Sequence, residues 1–102
     1  MHLVQLLLPV RNENGQGYPQ TLYEELVQRL TDRFGGVTAY ARAPATGVWE
    51  APSGRAVRDQ VIVYEVMVEV LDPGWWAGLR EELEVRFEQE ELVVRAQEIQ
   101  RL

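Results

Sequence analysis

Apolar residues fall on every second position at the start of the chain. Val4, Leu6, Leu8 and Val10 share one side of an extended segment, and Leu3, Gln5, Leu7 and Pro9 share the other. That period of two predicts a strand over 3–10, with Gln5 the one amide on its second side. The polar stretch 11–17, with Gly15 and Gly17, reads as a loop. From there the period changes. Leu22, Leu26, Leu30 and Phe34 recur at i+4, widened by Tyr23 and Val27, until Gly35-Gly36. This predicts an amphipathic helix ended by glycine. Pro19 suits its first turn, and Thr21 with Glu24 predicts a capping box.

The second half follows the same plan. A strand is predicted over 37–42, with Val37, Ala39 and Ala41 facing one way and Thr38, Tyr40 and Arg42 the other. Pro44, Gly47, Pro52 and Gly54 make 43–59 a long connection, within which Val48-Trp49-Glu50 and 55–58 can pair as a small hairpin. The strongest strand runs over 60–70: Ile62, Tyr64, Val66, Val68 and Val70 on one face, Val61, Val63, Glu65, Met67 and Glu69 on the other. Asp72-Pro73 then opens a helix, aspartate as N-cap and proline at the first helical position. Trp75, Leu79, Leu83 and Phe87 repeat at i+4 with Trp76 alongside, so one tryptophan belongs to the core and the other is half-exposed. A last strand alternates Leu92, Val94 and Ala96 with Val93, Arg95 and Gln97.

The order is therefore βαββαβ, a single domain over 1–102. Each helix has one apolar stripe to bury and each strand one apolar face. The compact solution lays both helices on one side of a four-stranded antiparallel sheet, the α+β arrangement called ferredoxin-like. The other sheet face then has no helix to cover it. By alternation that face carries Leu3, Gln5, Leu7, Thr38, Tyr40, Arg42, Val61, Val63, Glu65, Met67, Val93, Arg95 and Gln97. Seven of these thirteen are apolar or aromatic. A solvated sheet face is polar throughout, so a cover is expected. A second copy of the same sheet is the simplest cover, because two-fold homodimers are the commonest oligomers.

Composition narrows the chemistry. The chain has no cysteine, which excludes disulfides, a thiol nucleophile and an iron–sulfur cluster. All ten basic residues are arginine against thirteen Glu and three Asp, a net charge of −6. A phosphate backbone would be repelled by that balance, and Tyr40 is the only open-face aromatic, so no nucleic-acid partner is expected. No segment reaches the ~18–20 apolar residues of a membrane span. With no signal-peptide pattern, a cytoplasmic protein is expected. Asn14-Gly15-Gln16-Gly17 matches no phosphate-binding spacing, and no lysine is present to assist. Glu81, Glu84 and Glu88 read as a solvated helix face, not a metal site. Neither metal nor cofactor is expected.

Glu65 stands out among the candidate site residues. It lies at the centre of the strongest strand, on the uncovered face, between Val63 and Met67. A carboxylate there is either paired or desolvated. One reading is a general base or ligand-anchoring acid; the other is an ion pair with Arg42 or Arg95 that helps to fix a dimer. Tyr40, Arg42, Trp49 and Arg95 are the accompanying ligand-binding candidates, with Trp49 either lidding a pocket or packing on a partner subunit.

With this element order the chain resembles the dimeric α+β barrel proteins, small ferredoxin-like subunits whose sheets pack face to face. More locally, Arg33-Phe34-Gly35-Gly36-Val37-Thr38-Ala39-Tyr40, Gly47-Val48-Trp49 and Asp59-Gln60-Val61-Ile62-Val63-Tyr64-Glu65-Val66 look like small bacterial families of unknown function. The wider superfamily includes monooxygenases, isomerases, haem-binding enzymes and regulatory domains. The resemblance brings no haem here, since the one histidine, His2, opens the first strand instead of lying inside the fold.

Three functions follow as expectations. The first is a homodimer whose facing sheets enclose a small-ligand cavity. The second is a cofactor-independent oxygenase or isomerase on a small organic substrate, with Glu65 as base, Arg42 or Arg95 stabilising an anion, and Tyr40 and Trp49 as walls. The third is an interaction module using the acidic second helix.

Overall fold

A computed structural model describes residues 1–42, 49–50, 56–57 and 61–102; the side chains of 40–42, 49–50 and 56–57 lie outside that description. The elements in order are β1 (His2–Pro9), α1 (Gln20–Phe34), β2 (Thr38–Arg42), β3 (Trp49–Glu50), β4 (Ala56–Val57), β5 (Val61–Val68), α2 (Pro73–Arg86) and β6 (Val93–Glu98). Four strands form one sheet in the order β2-β5-β1-β6, every neighbour antiparallel. This is the ferredoxin-like α+β fold. The short β3 and β4 pair separately, Trp49 opposite Val57 and Glu50 opposite Ala56, as the expected hairpin requires.

One face of the sheet meets both helices. Val4, Leu6 and Leu8 of β1 and Tyr64, Val66 and Val68 of β5 are buried against Tyr23, Leu26 and Leu30 of α1 and Trp76, Leu79 and Leu83 of α2, with Phe87 just beyond it. The alternation in β1 is complete, since each even residue from Val4 to Leu8 is buried and each odd one half-buried. This burial of apolar area is the main stabilising term.

The helix ends show which local signals operate. Asp72 is extended, and its carboxylate accepts from the Trp75 N–H at 3.1 Å, with Pro73 following as the first helical residue. The capping box predicted at Thr21 does not form. Pro19 precedes the first helical residue Gln20 and makes no side-chain cap. Thr21 is already inside the helix, whereas a cap must keep a non-helical backbone. Gly35 ends α1 at φ 82°, its N–H donating to the Thr31 carbonyl at 2.8 Å. α2 ends differently. Glu88 takes the left-handed position at φ 51°, its N–H donates to Val85 O, and Gln89 N–H donates to Glu84 O. These two bonds make a Schellman turn in which glutamate occupies the usual glycine site.

The tryptophan pair is resolved against the i+4 series begun at Trp75. Trp76 is the buried partner of Leu79 and Leu83, and it stacks on Phe34 at 5.1 Å between centroids. Trp75 is half-buried, edge-on to Phe34 at 5.2 Å, with the Arg33 guanidinium 4.4 Å from its ring. Measured back from Leu79, both i−4 and i−3 lie over the same face, and the choice falls to what α1 places opposite.

α2 packs over Val94 of β6 but leaves the later part of the strand uncovered. Val94 is half-buried, but Ala96, on the same helix-facing side, is exposed like most of the strand. Between β6 and α2 lies an apolar groove of about 210 Å³, walled by Val4, Trp76, Ala77, Val94 and Ala96, with Arg80 beside them.

Candidate functional site on the open sheet face

The register of the strands arranges the uncovered face in rows. Thr38, Glu65, Gln5 and Arg95 form one row across all four strands. On one side of it lies the row Tyr40, Val63, Leu7 and Val93; on the other lie Met67, Leu3 and Gln97. A polar line thus crosses the middle of a largely apolar face.

That line is hydrogen-bonded. The Gln5 Nε2 donates to Glu65 Oε2 at 2.6 Å, and the Arg95 Nε donates to Gln5 Oε1 at 2.9 Å. Both contacts join directly opposed cross-strand residues, the closest side-chain neighbours in an antiparallel sheet. They also fix the orientation of the amide: its NH₂ meets a carboxylate and its carbonyl meets a guanidinium. Glu65 and Gln5 are half-buried, and Arg95 is exposed at the edge. Glu65 Oε1 accepts no hydrogen bond from a described residue.

Between Glu65 and Arg95 the expected direct ion pair is replaced by this relay. β1 lies between β5 and β6, so Gln5 occupies the space that a direct Glu65–Arg95 contact would need. Arg42 stands opposite Val61, two rows from Glu65, and Tyr40 opposite Val63, one row away. Trp49 lies in the separate β3–β4 pair. The side chains of Tyr40, Arg42 and Trp49 lie outside the described residues. Gln5 was not singled out in the sequence as a site residue, yet it carries both contacts. Its signal was its isolation, one polar side chain in a strand otherwise apolar from Leu3 to Val10.

The apolar rows are exposed to different degrees. Val63 is 2% exposed, whereas Met67 and Val93 are 51% and 47% exposed. The two tyrosines perturbed by burial lie on the opposite, helix-covered side. Tyr23 is pushed up to about 12, chiefly by desolvation, with smaller contributions from Tyr64 and Tyr18; Tyr64 is raised by desolvation alone. Neither takes part in the row. Among the described residues no group of three potential metal ligands comes together, and no helix is long and apolar enough to cross a membrane.

No family model matches the chain, and no curated protein matches it in sequence. Among solved structures it is similar to a phage SAM lyase in complex with S-methyl-5′-thioadenosine, with a TM-score of 0.58 and 19% identity. The likeness covers 95% of this chain and 80% of that one. At this identity the shared property is the ferredoxin-like α+β fold.

Proposed function

We propose that the chain acts as a homodimer, the open sheet face of one copy closed by the same face of another, with a small organic ligand held over the Glu65–Gln5–Arg95 row. The observation that carries this reading is a hydrogen-bonded polar line set between apolar rows on a face that no helix covers. The row is self-neutralising, one carboxylate and one guanidinium joined by an amide. Stacking two such rows therefore brings no net charge into the interface. Four strands ~4.8 Å apart, five to eight residues long, present roughly 400 Å² of sheet, about half of the ~800 Å² per partner of a standard interface, the loops around the face supplying the rest. A cytoplasmic setting accords with a cysteine-free chain.

The enzymatic alternative rests on one feature, a Glu65 Oε1 that accepts no hydrogen bond from a described residue. A cofactor-independent oxygenase or isomerase would use that oxygen to take a proton, Arg95 or Arg42 to steady the resulting anion, and Tyr40 and Trp49 as walls. The binding reading stands first because Gln5 donates to the carboxylate and holds it in one orientation, as a ligand-anchoring group requires.

Native mass spectrometry of the protein purified from its host tests the proposal. A mass at least twice the 11.7 kDa protomer, carrying a small adduct and halved by Met67→Glu, is the expected result. A monomer at tens of micromolar, or a mass indifferent to Met67→Glu, overturns it. Loss of the adduct in Glu65→Gln with assembly retained would assign the carboxylate to the ligand.

A further inference from the structure

The strand β6 presents a second surface, distinct from the open face. It is the last strand of the sheet and pairs with β1 on one side only, so alternate backbone N–H and C=O groups along its outer edge have no ladder partner among the described residues. Edge strands are ordinarily blunted by proline, lysine, a bulge or a covering element. Val93–Glu98 has no proline and no bulge, and the charges it carries, Arg95 and Glu98, are of opposite sign. Beneath the edge runs the apolar groove toward α2, leaving Ala96 exposed on the side where a helix would cover it.

We propose that β6 pairs antiparallel with β6 of a second copy, joining two sheets edge to edge. The strand's own sequence selects the register. A two-fold axis perpendicular to a joined sheet passes between one residue and its own copy. Centred on Val94 or Gln97, the strands overlap by only three pairs. Centred on Arg95 they overlap by five but set two guanidinium groups against each other, which is destabilising. Centred on Ala96 they also overlap by five, and no like charges stand directly opposite: Arg95 faces Gln97, Val94 faces Glu98, and two alanines meet at the axis.

This register suits both sides of the sheet. On the open face the guanidinium nitrogens of Arg95 not bonded to Gln5 reach the Gln97 amide of the second copy. On the helix side the alanine pair covers the groove mouth. Glu98 of the second copy comes down beside Val94, into a groove whose wall includes Arg80. Small and oppositely charged groups thus fall where space and charge call for them.

The cysteine-free background gives a register-specific test. Ala96→Cys, Val94→Cys and Glu98→Cys are oxidised separately under native conditions in the Met67→Glu background, so that the face contact proposed above does not enter. Directly opposed residues have Cα atoms ~4.5–5.5 Å apart, within disulfide reach. Val94 and Glu98 each stand ~13 Å from their own copies, beyond reach, so Ala96→Cys should form covalent dimer at least about tenfold faster than either. Equal rates at all three positions, or no covalent dimer at Ala96, overturn the proposal. Hydrogen exchange supplies an independent readout in the parent protein. Ala96→Lys, at an exposed site, should speed exchange of the outer β6 amides; protection unchanged by Ala96→Lys would point to another occupant and overturn it.

Discussion

Gln5 donates to Glu65 across β1 and β5 at 2.6 Å while accepting from Arg95 across β1 and β6. One amide thereby connects a carboxylate and a guanidinium that the sheet holds two strands apart. Gln5→Leu should lower stability by ~1–3 kcal/mol in the assembled protein, because the carboxylate loses its partner while still half-buried. Gln5→Leu combined with Glu65→Leu should recover most of that loss, since removing both partners leaves no orphaned group. A double-mutant cycle by denaturant unfolding measures the coupling, and additive effects would remove the relay from the account.

The two helix starts make a matched comparison. Asp72→Ala should destabilise by ~1 kcal/mol, the value of an N-cap hydrogen bond such as that from Trp75 N–H. Thr21→Ala should change stability by less than ~0.5 kcal/mol, as an exposed substitution within a helix. Parallel urea titrations decide the pair.

Glu88 holds a left-handed backbone at φ 51° in the turn that ends α2. Glycine adopts that conformation without the steric penalty of a Cβ, so Glu88→Gly should stabilise by up to ~1 kcal/mol. Part of the gain comes from removing a negative charge at the helix C-terminus. A raised melting temperature is the expected sign, and a lowered one would contradict the turn's geometry.

Tyr23 donates its hydroxyl to the Pro9 carbonyl at 2.7 Å, and burial pushes its pKa up to about 12 from 10.0. The unfolded chain loses that proton first as pH rises. Stability from this group is therefore complete below pH 10.0 and lost progressively between 10.0 and about 12. Tyr23→Phe should be less stable near neutrality by ~1 kcal/mol through loss of the hydrogen bond. It should also unfold less steeply with pH above 10.0 than the parent. Melting temperatures recorded from pH 8 to 11.5 at intervals of about half a unit test both statements.

The element order, the four-strand sheet and its buried face could be read from the residues because each depends on local periodicity. Val4, Leu6 and Leu8 face the helices for the same reason that they alternate. Asp72-Pro73 starts a helix wherever it is placed, since the cap uses atoms three residues away. Leu92 opened the predicted last strand but lies one residue before β6, where it is buried in the core. Strand ends depend on where neighbouring strands stop, and hydrophobicity alone does not carry that information.

What tertiary structure alone decided is which distant residues meet. The amino-acid sequence placed Glu65 and Arg95 on one face, but register and strand order put Gln5 between them. Strand order depends on how two crossovers close over a shared core, a property of the whole chain. The same holds for Trp76 over Trp75, settled by Phe34 on the other helix, and for β6, where α2 packs on Val94 yet leaves Ala96, on the same side, exposed. Period and capping are short-range and survive in a single segment, whereas register, helix–helix contact and edge exposure exist only once segments far apart in the chain have packed.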